Sequence, residues 1–450
     1  MSNPVTPPVP AAPKPRMIRN VIAATIGHGM DNYSFAVYAL MAEIISRKFF
    51  PTDDPALSLL LSVGTFASSF LIRPVGAIVL GVYADRKGRM PSLTLSIKIM
   101  FIGSILMAFM PTYDTIGILA PIGMFIALLV KAFSYSGEYT GAVSYLIELN
   151  PQRRGYYGSW VIAGQSVASI VAAVVLAVLT SGLPTEVFES WAWRIPLALG
   201  LFVGPVGYYM RRKLHDSPEF LAARRQQPTK NPLGEVLRTQ KTRMVMVIGL
   251  VALSSSASYL VTYMPTLAVR QLGMPASATF IAAVVGFTVS AILDPIAGHY
   301  SDKYGRIRVM AIGSIGTAVI IFPLFFLLAS YPTTPVMIVV MALIAFFTVW
   351  YVAPNTAFKA EIFPTHTRGT GLAIGYNLGL AITGGGTPVI ATWLIRLTGT
   401  PVAPSFWLIA TAIISTVSAC YAARFSERSP AHRGSPDPDH QHEPIAGRTP

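Results

Sequence analysis

Apolar stretches of about twenty residues recur along almost the whole chain, and no other feature restricts the fold so strongly. A bilayer-spanning helix needs about 20 predominantly apolar residues, and in lipid the backbone must satisfy its own hydrogen bonds, which leaves helices or closed barrels. Twelve such segments are readable, at about 19–46, 57–84, 91–111, 115–147, 156–181, 194–212, 244–269, 277–300, 307–330, 335–362, 368–396 and 404–425. They are too long and too continuously apolar for barrel strands. With 53% hydrophobic and 12% charged residues, the chain has too little polar surface to cover a soluble domain. The expected fold class is therefore an all-α integral membrane protein of twelve transmembrane helices.

A net charge of +14 raises nucleic acid as a partner, so the positions of the 34 basic residues decide the matter. With the N-terminus inside, only Arg47, Lys48, Arg270 and Arg396 fall outside, and Arg73, Lys98, Lys131, Arg194 and Lys359 fall within spans, leaving 25 in cytoplasmic segments. The positive-inside rule then places both termini in the cytoplasm, and the basicity is explained by the bilayer without nucleic acid. The first span carries His28 and Asp31 and has no small-residue cleavage site after it, which argues against a signal peptide. A single cysteine, Cys420, excludes an internal disulfide or a thiolate metal cluster, and His440 and His442 sit in a polar tail. No phosphate-binding Gly-x-x-x-x-Gly-Lys-Ser/Thr loop occurs, and no nucleophile, base and orienting group recur at recognisable spacing. The expectation is thus a non-enzyme without cofactor or metal.

Residues 1–17 and 426–450 are Pro-rich and polar and read as disordered tails; 213–243 reads as a basic cytoplasmic linker between bundles at 18–212 and 244–425. An internal repeat supports the division. Gly81-Val82-Tyr83-Ala84-Asp85-Arg86-Lys87-Gly88-Arg89 follows span two, and Gly298-His299-Tyr300-Ser301-Asp302-Lys303-Tyr304-Gly305-Arg306 follows span eight, 217 residues later. Glu148-Leu149-Asn150-Pro151-Gln152-Arg153-Arg154-Gly155 and Glu361-Ile362-Phe363-Pro364-Thr365-His366-Thr367-Arg368-Gly369 recur at an offset of 213 to 214. Two matches at nearly one offset indicate a duplicated six-helix unit, an architecture whose central site lies between halves that rock.

The doubled Gly-x-x-x-Asp-Arg/Lys-x-Gly-Arg loop resembles the signature of the major facilitator superfamily. Further runs, including Phe70-Leu71-Ile72-Arg73-Pro74-Val75-Gly76-Ala77, Phe133-Ser134-Tyr135-Ser136-Gly137-Glu138 and Trp191-Ala192-Trp193-Arg194-Ile195-Pro196, are similar to the metabolite:proton symporter family. Gly158-Ser159-Trp160, Tyr259-Leu260-Val261-Thr262-Tyr263 and Gly384-Gly385-Gly386-Thr387-Pro388 most resemble its citrate and tricarballylate members. The resemblance covers residues 18–425 and implies two pseudo-symmetric six-helix bundles in a bacterial inner membrane, expected as a monomer. It implies proton-coupled symport of a small organic acid anion by alternating access. Family members also carry proline or betaine, so an osmolyte symporter stays open, as, more distantly, does a nontransporting receptor. The resemblance further implies a gate latch built from Gly81, Asp85, Arg86, Gly88, Arg89, Glu148, Arg154, Asp302, Gly305, Arg306, Glu361 and Arg368; selection for topology alone is the bland alternative.

Ionisable groups inside spans cost at least about 2.5–3.5 kcal/mol near the bilayer centre, so each is a candidate. Helical spacing puts His28, Asp31, Phe35 and Tyr38 on one face of span one. Asp31 is either a proton carrier or a structural acid paired with His28. Relative to the family pattern, His28 stands for Asn, and Ser34 for a second acid. Span four places Lys131, Ser134, Tyr135, Glu138, Ala142 and Tyr145 on a polar stripe expected to face a cavity. Lys131 replaces a Gln of the family, whose Arg position is Leu128 here; it either contacts the anion or neutralises Glu138, itself the second proton-coupling candidate. Arg73, mid-membrane in span two, suits a bidentate grip on a carboxylate. Tyr259, Tyr263 and Asn377 are expected to orient the substrate, whereas the span-seven serines are expected to bond backbone carbonyls. Asp294, eight residues before Asp302, is expected to be a structural partner near the cytoplasmic end.

Overall fold

The computed structural model describes residues 14–87, 89–202, 205, 232–364 and 367–426, and among them every regular element is helical. Among the described residues, nine helical stretches are long and apolar enough to cross a membrane. They are span two (Pro55–Leu80), span four (Leu119–Leu149), span five (Arg154–Gly182), span seven (Lys241–Leu272), span eight (Ala276–Tyr304), span nine (Arg306–Ser330), span ten (Thr334–Glu361), span eleven (Arg368–Thr398) and span twelve (Pro404–Ala423). Span one is the helix Lys14–Leu40, continued after a turn by Ala42–Phe49; its buried polar residues, His28 and Asp31 among them, dilute its apolar character. Span three is Arg89–Phe109, apolar from Thr94, and span six begins as Arg194–Leu199. The expected tails lie almost wholly outside the described residues, as does most of the expected linker, whose far end is the short helix Pro232–Thr239.

Local chemistry sets the helix ends. The Asp54 carboxylate accepts from the amides of Ala56 (2.8 Å) and Leu57 (3.3 Å), satisfying two of the free donors at the start of span two. Between spans eight and nine the chain reverses at Gly305, whose φ of 92° is open to glycine and strained for most other residues.

Two spans are interrupted. Span four ends one helix at Tyr135 and starts another at Glu138, with Ser136 and Gly137 between them. Span eleven widens into a π turn over Leu380–Gly385, where Gly384 lies against the Tyr259 ring and Gly385 against Phe70. Breaks of this kind at membrane depth occur where backbone faces protein or a cavity rather than lipid.

The halves meet chiefly where span five lies along span eight. The crossing is close at one end: a Cβ on Gly298 would stand 2.5 Å from both the Gly155 carbonyl oxygen and the Ser159 hydroxyl oxygen. Span eight, 29 residues long, carries Ala276 and Tyr304 to opposite ends of the molecule, about 40 Å apart at 1.5 Å per residue. Polar contacts tie the halves together at both of those ends.

Candidate functional site

Between the halves lies a small cavity of about 110 Å3. The first half contributes Phe35 of span one, Tyr135 and Tyr139 of span four, and Gln165 and Ser166 of span five. Facing them are Tyr259 of span seven, Asp294 of span eight, Thr356 and Lys359 of span ten, and Tyr376 of span eleven. Sites for small molecules usually measure about 300–1,000 Å3, so the halves must part for substrate to enter.

Arg73 lies behind one wall of this cavity and is fully buried. Its guanidinium carbon is 3.8 Å from the Phe70 ring centroid, 4.6 Å from that of Tyr135 and 4.7 Å from that of Phe35. None of its three nitrogens has a hydrogen-bond partner of good geometry, although the Tyr259 hydroxyl lies beside it. Aromatic faces return part of the desolvation cost of a cation but leave five N–H donors unused. A buried charge with free donors is an anion site in waiting, because an entering carboxylate would satisfy the donors and neutralise the charge.

Opposite, at the cavity floor, Lys359 is 2% exposed. Its amine donates to the Tyr139 hydroxyl at 3.2 Å and stands 5.4 Å and 5.0 Å from the Tyr139 and Tyr376 ring centroids. These two rings stack across the halves at 4.0 Å. Asp294, expected to be a structural partner near one end, instead lines the cavity; one carboxylate oxygen accepts from Ser166 at 3.4 Å and the other has no hydrogen-bond partner. From the sequence, Lys359 is one of the in-span charges without an assigned role and Asp294 a structural acid, since each lies a few residues from a motif whose charges explain themselves as topology.

Of the residues expected to touch substrate, Tyr259 lines the cavity directly. His28 stands one layer back: Nε2 is 2.8 Å from the amide nitrogen of Gln165 and 3.4 Å from the Tyr135 hydroxyl. Tyr38 stacks on Phe66 and donates to the Ser62 carbonyl at 3.3 Å, while Tyr263 bonds Thr392 at 2.6 Å. Asn377 donates to the Ser136 carbonyl at 3.1 Å, so it joins the break in span four to the other half. Asp31 and Glu138 are both buried beside the site without lining the cavity. As expected, Ser254, Ser255 and Ser258 bond carbonyls of their own helix.

The placement of Lys131 corrects the expected stripe. Its amine donates to Ser104 at 2.9 Å, and Ser134 donates to the Ser96 carbonyl, so this face of span four is turned to span three. Lys131 is fully buried there, against Gly103, and forms neither part of the cavity wall nor an ion pair with Glu138. Lys131, Ser134 and Tyr135 share the helix Leu119–Tyr135, and periodicity groups them without telling which neighbour each meets: Tyr135 reaches the cavity, whereas Lys131 and Ser134 meet span three.

At the end carrying the 298–306 loop, Asp302 reaches across the halves and accepts from the amides of Gly155 (2.9 Å) and Tyr156 (2.8 Å). It thereby caps span five, whose first residue is Arg154, at the positive end of its dipole. Arg306 bonds Asp302 at 2.7 Å and grips Glu361 through two nitrogens at 3.1 Å and 2.9 Å. Arg368 donates to the Ala360 carbonyl at 3.1 Å, and Glu148 lies in the last turn of the second helix of span four, which ends at Leu149. Gly88 lies outside the described residues, as do the side chains of Asp85, Arg86 and Arg89 and the surroundings of Gly81.

The opposite end holds contacts that the sequence reading missed. Glu43 pairs with Arg270, and Asp54 with Arg396 at 2.9 Å, each across the halves. Arg47 adds a pair to Glu189 at 3.0 Å within the first half. The scarcity of basic residues on this side was their only sequence signal.

Comparison with known proteins agrees with this geometry. The profile of the sugar (and other) transporter family matches residues 20–230, and that of the Major Facilitator Superfamily matches 278–449. The citrate-proton symporter of Klebsiella pneumoniae is 32% identical over 410 residues, covering 90% of this chain and 92% of that protein. A putative proline/betaine transporter of Staphylococcus aureus (strain COL) is 34% identical over 404 residues, covering 88% and 86%. The proton:xylose symporter XylE of E. coli shares the fold, with a TM-score of 0.71 at 17% identity over 92% of this chain and 96% of its own.

Proposed function

The chain belongs to the major facilitator superfamily, and from that premise we propose that it is a proton-coupled symporter of a small organic acid anion such as citrate. The observation that carries the reading is Arg73, a fully buried guanidinium with unused donors beside a cavity between two rocking halves. In the closed arrangement its aromatic cage covers it. As the halves part, movement of Tyr259 and Tyr135 would bare the guanidinium to a carboxylate, which it can hold through two parallel hydrogen bonds. Asp31 and Glu138 are the proposed proton carriers, and His28 and Tyr259 orient the bound acid. The basic asymmetry of the loops supports an orientation with both termini and the Asp302 latch on the cytoplasmic side and the Glu43–Arg270 pair outside.

The similarity to a putative proline/betaine transporter favours a proline or betaine substrate, and a ring of aromatic side chains is a known home for quaternary ammonium groups. Here, however, that ring already holds Arg73, and a second cation, Lys359, stands in the cavity floor. Two buried cations favour an anion over a zwitterion.

The test is uptake of radiolabelled citrate into vesicles under an inward proton gradient, with tricarballylate, 2-oxoglutarate and betaine as competitors, for wild-type and Asp31→Asn protein. Gradient-dependent citrate uptake that fails in the variant is the expected outcome. Uptake indifferent to the gradient, or inhibition by betaine alone, overturns the proton or the carboxylate part respectively.

A further inference from the structure

We propose that Lys359 is a second anion-binding residue, which receives a carboxylate remote from the one held by Arg73, so that the preferred substrate carries at least two carboxylates. The inference rests on the organic-anion reading above and deepens it.

Three observations carry it. First, Lys359 lines the cavity and is almost wholly buried, yet among the described residues no carboxylate lies within ion-pair distance of it. Glu361, two residues along, is held instead by Nε and Nη2 of Arg306. Of the three N–H donors of Lys359, one is engaged by the Tyr139 hydroxyl. Burial of an ammonium in this state is costly, and a substrate carboxylate is the group that would offset it.

Second, the two cations lie on opposite halves and are joined by one continuous wall. Arg73 rests on Tyr135 and Lys359 on Tyr139, residues four apart on either side of the break in span four. The His28 ring touches both, at 5.4 Å and 5.5 Å between centroids. A molecule with two carboxylates on a short carbon skeleton fits along that wall, with one end on each half. A monocarboxylate can engage only one cation at a time.

Third, the aromatic faces at the floor are already occupied. The Tyr139 and Tyr376 rings stack on each other and lie beside the Lys359 ammonium, so the floor offers a cationic ligand group repulsion and no free face. The cavity lining also carries the hydroxyls of Thr356 and Ser258 and the carboxyl of Asp294. Binding that bridges the halves would also draw them together around the substrate.

The experiment compares wild-type, Lys359→Gln and Lys359→Arg proteins in proteoliposomes, reading KM for citrate and tricarballylate and inhibition by butyrate. Losing a charge-assisted hydrogen bond corresponds to about a tenfold to hundredfold loss of affinity. The expected result is a rise of that size in KM for both tricarboxylates with Lys359→Gln, partial recovery with Lys359→Arg, and butyrate inhibition changed less than about threefold. Tricarboxylate KM values within about twofold of wild-type in Lys359→Gln overturn the role of Lys359 while leaving the anion reading intact. Absence of any carboxylate uptake by wild-type protein removes both. Should Lys359→Gln fail to insert, Lys359→Met, apolar and of similar length, supplies the same reading.

Discussion

Arg73 concentrates the account at the scale of single residues. A guanidinium buried among Phe35, Phe70 and Tyr135 without hydrogen bonds is poor for stability and useful only if something binds it. Arg73→Met is therefore predicted to abolish citrate uptake while leaving the ligand-free melting temperature equal to or above wild-type, because an uncompensated buried charge has been replaced by a packed apolar chain. A thermal-unfolding scan showing clear destabilisation would instead mark Arg73 as structural. Arg73→Lys keeps the charge but loses the planar fork, and should lower kcat/KM for citrate by about tenfold or more. Asn377 makes a different kind of contribution. Its amide joins Ser136 across the halves, so Asn377→Leu should weaken the closed arrangement by about 1–3 kcal/mol by leaving a buried carbonyl unpaired.

Among the elements, span five and span eight carry the closure at the latch end. Gly155 and Gly298 let the two helices touch, and Asp302 caps the first with two hydrogen bonds. Gly298→Leu is predicted to hold that end open, and Asp302→Ala to cost about 1–2 kcal/mol of closure. Much of this level was legible in the sequence. The apolar segments located the spans, and the Gly298–Arg306 repeat marked the stretch that meets span five, because close approach and helix capping demand particular residues at fixed spacing. The site was legible only in part. Arg73 declared itself as a charge at mid-membrane. Lys359 and Asp294 did not, since their burial depends on which helix of the other half lies opposite, and no local pattern encodes that. Lys131 was misassigned for the same reason, since the neighbour its face meets, span three, is set by tertiary packing and not by the period of the helix.

For the whole molecule, polar ties at both ends describe a transporter closed around a small central cavity. Alternating access follows if each tie opposes one opening. Arg306→Gln removes the fork that holds Asp302 and Glu361, and should favour opening at the cytoplasmic end; Glu43→Gln should favour opening at the outer end. A thiol at Ser258→Cys in the cavity wall, in a Cys420→Ser background, reports both. Labelling by a membrane-impermeant maleimide should increase from the inner side with Arg306→Gln and from the outer side with Glu43→Gln. Equal labelling from both sides in either variant would mean that the ties do not set the direction of opening.

The central claim, that anion and proton move together through this cavity, is met most directly by recording internal pH in proteoliposomes when citrate is added outside without any imposed gradient. The account predicts prompt internal acidification with wild-type protein, absent with Arg73→Met and not evoked by betaine. Citrate uptake without acidification, or acidification evoked by betaine and not by citrate, would contradict it.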